Sequence, residues 1–278
     1  MTTTTTTTGS SDTITIEMRD AGAYRVRVAR TYGAPGKPPL LIFNGIGASL
    51  ELVAPFAAAL AKHGIGTIVF DIPGIGGSPA PKRPYRFGDM ARLTADLLDG
   101  YGLAAVDVAG VSWGGALAQE FAYKFPHRTR RLILCSTSAG AVAVPGKWSA
   151  LRHMALPRTF RAKRDPTTVG GELFGGRFRT DPDLFRRVAP FLRAAQGPGY
   201  QLQILAGIGW TSVPWLHEIV SRTLVIAGTD DPIVPVINAK LLASLIPKAR
   251  MFTVDDGHLF VVSRPAEIAT LFADFLSP

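Results

Sequence analysis

An α/β fold with a mostly parallel sheet and helices on both faces is predicted by three features of the chain. Short continuous apolar runs recur along it, stretches with helical spacing separate them, and glycine-rich turns close several of the runs.

The chain opens with a different pattern. Thr13 to Met18 and Tyr24 to Ala29 alternate apolar and polar residues about an Asp20-Ala21-Gly22 turn, which predicts an antiparallel hairpin at the sheet edge. From Leu40 onward the alternation gives way to unbroken apolar runs, as in strands covered on both faces. These are Leu40 to Phe43, Thr67 to Phe70, Ala105 to Val108, Arg131 to Cys135, Thr223 to Ala227 and Met251 to Val254. Between them, Val53, Phe56 and Leu60, then Leu117, Phe121 and Ala122, then Ile268, Leu271, Phe272 and Phe275 fall at helical spacing. In such a sheet ligands bind beyond the carboxyl ends of the strands, so residues just after strands are the candidates for chemistry.

Strand patterns cease between Thr137 and His217, where prolines at 145, 157, 166, 182, 190 and 198 punctuate short helical patches. We read residues 137–217 as a mainly helical cap inserted into a core formed by 13–136 and 218–278. Eleven Lys and Arg against four acidic residues give the cap +7 of the net +9 charge, and Arg161 and Arg164 belong to this excess. Its Trp210 and Trp215 are candidates for contact with substrate, and its basic and aromatic residues together would suit adsorption to an insoluble surface.

At 278 residues and 47% hydrophobic content, the chain is long enough for one such core with an embellishment. A single cysteine, Cys135, excludes an internal disulfide and a thiolate-rich metal site, and favours the cytoplasm. Residues 1–12 begin with a threonine run that lacks the basic and apolar regions of an export signal, and read as a disordered tail. The longest mostly apolar stretch, Leu205 to Leu216, is about half a membrane span. No nucleic-acid module with interleaved stacking aromatics is visible despite the basic balance, so a non-catalytic binding role has little support. Oligomeric state has no signature.

The chemistry concentrates at four turns. Gly110-Val111-Ser112-Trp113-Gly114 stands between a strand and a helix, where a sharp turn would force Ser112 to positive φ and lift its hydroxyl into the cleft as a nucleophile. Asn44-Gly45-Ile46-Gly47 follows the first buried strand. Asn44, Gly45 and Gly47 would shape this loop so that the Ile46 and Trp113 N–H groups face a developing oxyanion. A third glycine is missing at Leu50, which excludes a dinucleotide fingerprint, and Gly74-Ile75-Gly76-Gly77 lacks the Lys-Ser/Thr of a phosphate loop. Neither a metal nor a cofactor is expected.

Asp230-Asp231 and His258 follow the last two strands, completing the order Ser, Asp, His that is found in α/β-hydrolases. His258 is the base by position, and spacing alone leaves Asp230 and Asp231 open as its partner. Asp71 is expected to order its own loop, and Cys135 to be a buried small hydrophobe. A serine at 112 counts against dehalogenase and epoxide-hydrolase chemistry, which require an acidic nucleophile.

Taken with Pro84-Tyr85-Arg86-Phe87, Ala139 to Lys147, Gly209-Trp210-Thr211-Ser212 and Asp255 to Phe260, these motifs resemble the intracellular medium-chain-length poly(3-hydroxyalkanoate) depolymerases of the α/β-hydrolase superfamily. The resemblance implies cofactor-free hydrolysis of ester bonds in stored polyester, by a cytoplasmic enzyme at or near polyester granules. It implies a triad on Ser112, Asp231 and His258, because the family spacing of Gly, Asp and Pro falls on Gly228, Asp231 and Pro235. The runner-up within the fold is a hydrolase of small soluble esters or of carbon–carbon bonds in ring-cleavage products.

Overall fold

A computed structural model describes residues 14–155, 166–192 and 197–277. The expected tail at 1–12 and the cap residues Arg161 and Arg164 lie outside the described residues.

Strands β1 (Thr15–Ala21) and β2 (Tyr24–Arg30) form the opening hairpin, paired without slip from Thr15↔Arg30 to Ala21↔Tyr24. The first strand runs three residues beyond the apolar alternation because Gly22, at φ 57°, reverses the chain in a two-residue turn. Asp20 and Ala21 are therefore paired strand residues instead of turn residues.

The hairpin joins antiparallel to β4 (Thr67–Phe70), and the remaining pairs are parallel: β3 (Leu40–Phe43), β5 (Val106–Val111), β6 (Thr129–Cys135), β7 (Arg222–Gly228) and β8 (Ala249–Val254). Their order across the eight-stranded sheet is β1-β2-β4-β3-β5-β6-β7-β8. Period-2 geometry splits each buried strand between two cores. Leu41 and Phe43 face one side with Phe87 and Phe121, while Leu40 and Ile42 face the other with Phe56 and Phe272.

The first side is covered by α2 (Phe87–Gly100), α3 (Trp113–Lys124) and the later α8 (Val236–Leu245); the second by α1 (Ala54–Ala61) and α9 (Pro265–Leu276). Phe56 of α1 meets Phe272 of α9 edge-to-face, with centroids 5.0 Å apart. The chain thus spends its helices covering both sheet faces, which leaves the carboxyl edge of the strands open.

Helices α4 (Trp148–Ala155), α5 (Pro166–Phe174), α6 (Pro182–Val188) and α7 (Pro198–Gly207) lie in sequence between β6 and β7. Prolines that read as breaks in the sequence open helices here, since the first turn needs no proline N–H. Asp181 caps α6, accepting from Asp183 N and Leu184 N at 3.0 Å each. The two ends of the inserted stretch meet: Ala141 N donates to Trp210 O at 2.8 Å and Ser212 N to Ala139 O at 3.1 Å. A third apolar cluster, with Leu173, Phe174 and Phe178 against Leu52 and Leu259, seats the insertion on the carboxyl edge of the sheet.

Candidate active site

Strand β5 ends at Val111 and α3 begins at Trp113, so Ser112 alone makes the turn between them. Its φ of 55° and ψ of −118° are a strained conformation for a residue with a side chain. Two glycines permit it: a Cβ on Gly110 would overlap the Gly114 carbonyl, and one on Gly114 would overlap the Phe43 and Asn44 carbonyls. Ser112 N donates to Cys135 O at 2.9 Å and its carbonyl accepts from Thr137 Oγ1 at 2.7 Å, pinning the turn to the end of β6.

Across the cleft, β7 and β8 deliver the acid and the imidazole. Asp231 Oδ2 lies 2.7 Å from His258 Nδ1, while its Oδ1 accepts from Ile233 N at 2.8 Å and Val234 N at 2.9 Å. Both residues are buried. With Nδ1 turned to a carboxylate, the imidazole keeps its proton there and presents Nε2 as acceptor. Ser112 and His258 line the same cavity. Among the described residues, Ser112 Oγ has no hydrogen-bond partner, so its bond to His258 is not made in this state; such contacts commonly tighten only with substrate.

Asp230 faces the other way. It accepts from Gly176 N at 2.8 Å and from Arg179 Nε at 2.6 Å, and the Arg179 guanidinium holds its carboxyl below the ordinary carboxylate range. The choice that sequence spacing leaves open between the two aspartates is thus made by the loop backbone, which turns Asp231 to the imidazole.

The loop after β3 forms the opposite wall. Asn44 Nδ2 donates to Ser49 O at 3.0 Å, Ala48 N donates to Gly45 O at 3.2 Å, and Gly47 has φ 69°, so Gly45 to Ala48 is a tight turn. Among the described residues no group accepts from the Ile46 or Trp113 backbone N–H; Ile46 lies in the turn after β3 and Trp113 is the first residue of α3, next to Ser112.

Trp210 and Trp215 are not brought to the cavity. Trp215 stacks on Tyr123 of α3 with centroids 4.5 Å apart, and Trp210 packs on Phe87 and donates through Nε1 to Glu120 Oε2 at 2.9 Å. They anchor the returning end of the insertion to α2 and α3, away from the residues that line the cavity beside Ser112. Cys135 is fully buried, and burial pushes its thiol up, leaving it without a nucleophilic role. Asp71, also fully buried, accepts from Leu50 N, Gly77 N and Arg27 Nε at 2.7 to 2.8 Å and orders its loop.

Two residues escaped the sequence reading. Asp256 sits two positions before His258, accepting from Arg177 N at 2.9 Å, Gly257 N at 2.7 Å, Ser263 Oγ at 2.6 Å and Arg264 Nε at 3.0 Å. Gln203 of α7 accepts from Gly47 N at 2.8 Å. The acidic doublet at 255–256 was a visible signal for the first; nothing local marks the second.

The cavity beside Ser112 has a volume of about 290 Å³. Leu52, Val261 and Ile233 from the core and Met154, Leu173 and Phe185 from the insertion give it an aliphatic and aromatic lining. Among the described residues no helix is long and apolar enough to cross a membrane, and no cluster of His, Cys, Asp or Glu could hold a metal.

Comparison with known proteins agrees with this architecture. The alpha/beta hydrolase fold family model matches residues 38–265. A poly(3-hydroxyalkanoate) depolymerase from Ectopseudomonas oleovorans is 50% identical over 250 residues, covering 89% of this chain and 88% of its own. Among solved structures, the enol-lactonase from Burkholderia xenovorans aligns with a TM-score of 0.78 at 22% identity, covering 94% of this chain and all of its own. A 2-hydroxy-6-oxo-6-phenylhexa-2,4-dienoate hydrolase from a Rhodococcus strain aligns at 0.77 and 17% identity, covering 94% of this chain and 98% of its own. At these identities the two structures speak for the fold alone. The chain belongs to the α/β-hydrolase family and, within it, to the poly(3-hydroxyalkanoate) depolymerases.

Proposed function

We propose that the chain hydrolyses ester bonds of poly(3-hydroxyalkanoate) through an acyl-enzyme on Ser112. The observation that carries this reading is the Asp231–His258 pair, 2.7 Å apart, opening on the cavity that Ser112 enters from a strained turn.

In this mechanism substrate binding brings Ser112 Oγ onto His258 Nε2. The imidazole takes the hydroxyl proton as Oγ attacks the ester carbonyl, and Asp231 stabilises the imidazolium. Charge gathers on the former carbonyl oxygen, which the N–H groups of Ile46 and Trp113 would receive. As the intermediate collapses, His258 gives its proton to the departing hydroxyl end of the polymer, leaving a 3-hydroxyacyl ester on Ser112. Water, deprotonated by His258, then attacks this ester and returns Ser112 to its starting state. Each atom moved belongs to ester, water or these side chains, so the cycle needs no cofactor.

The substrate class rests on the 50% identical depolymerase and on the cavity lining. An aliphatic chamber on the acyl side of Ser112 suits the alkyl branch of a 3-hydroxyacid, and each buried methylene contributes about 0.8 kcal/mol. In this reading residues 137–217 act as the cap that closes the chamber over the core, and the enzyme works in the cytoplasm beside its stored polymer.

Purified protein assayed on amorphous polyester granules and on a short soluble ester tests the substrate class. We expect release of soluble 3-hydroxyacids from granules, abolished in Ser112→Ala. Turnover of the soluble ester with no release from polymer would favour the small-ester reading instead.

A further inference from the structure

We infer that Gln203 is a positioning residue that locks the two walls of the oxyanion site to each other, an inference that rests on the acyl-transfer reading of Ser112. Gln203 lies on α7, in the stretch inserted between β6 and β7, and is 1% exposed. It reaches both walls with different atoms. Its side-chain Oε1 accepts from Gly47 N at 2.8 Å, and its backbone carbonyl accepts from the indole Nε1 of Trp113 at 2.9 Å.

Gly47 N is part of the central peptide of the Gly45 to Ala48 turn, whose other half is the Ile46 carbonyl. That peptide sets the Ile46 backbone and hence the direction of the Ile46 N–H. A glycine at φ 69° is conformationally soft, and a buried hydrogen bond from outside the loop removes that softness. On the other wall, the Trp113 backbone N–H sits at the first residue of α3, and its side chain is held between Phe87, 4.7 Å away by centroid, and the Gln203 carbonyl.

One residue of the insertion therefore spans 156 positions to Gly47 and 90 to Trp113 and ties the turn after β3 to the first residue of α3, beyond the ends of the paired strands β3 and β5. Gln203 Nε2 is buried without a partner among the described residues, so the amide's acceptor is used and its donor is idle. A side chain kept buried with an unmet donor is costly, and packing alone would be served as well by Met or Leu. The acceptor function at Gly47 is what distinguishes glutamine at this site. Because the oxyanion donors act by preorganisation, loosening them should slow chemistry while leaving ground-state binding intact.

The test is Gln203→Met, which keeps the side-chain shape and removes the acceptor. With a soluble acyl ester, kcat is expected to fall about 10- to 100-fold while KM stays within about threefold. The affinity for an alkyl boronic acid, whose tetrahedral Ser112 adduct mimics the oxyanion, should fall by a similar factor. Trp113→Phe, which removes the indole N–H together with its five-membered ring, is expected to show the same signature in weaker form and serves if Gln203→Met does not fold. Unchanged kcat and boronate affinity in a folded variant, or a rise in KM alone, would overturn the assignment. Ser112→Ala is run in parallel: activity retained there would sink the acyl-transfer reading itself, whereas activity lost there with a wild-type-like Gln203→Met sinks only the role of Gln203.

Discussion

The backbone N–H of His258 donates to the carbonyl of Phe174 across 2.7 Å, so the loop that carries the imidazole is tied to the last residue of α5. The next few residues continue the tie. Gly176 N and Arg179 hold Asp230, and Arg177 N holds Asp256, so one short stretch of the insertion braces both loops that flank the Asp231–His258 pair.

Asp256 should accordingly matter for stability and for turnover without touching substrate. Asp256→Ala leaves Arg177 N, Gly257 N and Ser263 Oγ without their buried acceptor, a loss of about 2–3 kcal/mol. Thermal or urea unfolding checks the stability. Activity at a temperature where the variant is folded should also fall, because the His258 loop loses its internal brace.

The aspartate doublet separates by chemistry. Asp231→Asn should reduce ester hydrolysis by about 10⁴-fold, since the amide can present its N–H to Nδ1 and select the wrong tautomer. Asp230→Asn should retain most activity and lose part of its tie to Arg179. Steady-state kinetics of the two variants, side by side, decides the matter; exchanged phenotypes would reverse the assignment.

The Arg179–Asp230 pair predicts a pH signature. Arg179 holds the Asp230 carboxyl below its unfolded value, so its contribution is fully present above the ordinary carboxylate range. It is lost as pH falls through the lowered folded pKa, where the carboxylate takes up its proton in both states. The melting-temperature gap between wild type and Arg179→Gln should therefore be constant near neutrality and close in acid. A gap that persists in strong acid would point to lost packing instead.

Filling the cavity should change chain-length preference. Leu173 lines it from the insertion, and Leu173→Trp would occupy space meant for the distal end of an acyl chain. We expect kcat/KM for octanoyl esters to fall by at least tenfold while that for butyryl esters changes little, measured on p-nitrophenyl esters of graded length. Equal losses across the series would place Leu173 away from the acyl path.

How much of this was legible in the sequence depends on whether the signal is local. Leu40 to Phe43 and Thr67 to Phe70 were readable to the residue, because a run of apolar side chains, opened in the second strand by the β-branched Thr67, leaves no exposed polar face to obscure the ends. The hairpin was misjudged by three residues since Arg19 and Asp20 pair on an exposed edge, where side-chain polarity says little about backbone pairing. Ser112 was legible because its strain needs glycines at fixed offsets. Gln203 and the Phe174 carbonyl were not, as their partners lie far away in sequence. The partners of Trp210 and Trp215 were not legible, because composition shows that aromatics will be buried and not against what; here they meet Tyr123, Phe87 and Glu120 of the core helices.

The most direct measurement is rapid-quench mass spectrometry of the wild-type protein turning over p-nitrophenyl octanoate. An octanoyl ester on the peptide that carries Ser112, formed as fast as the burst of p-nitrophenol, is the predicted result. An acyl group on a different residue, or full turnover by Ser112→Ala with no acylated peptide, would contradict the account.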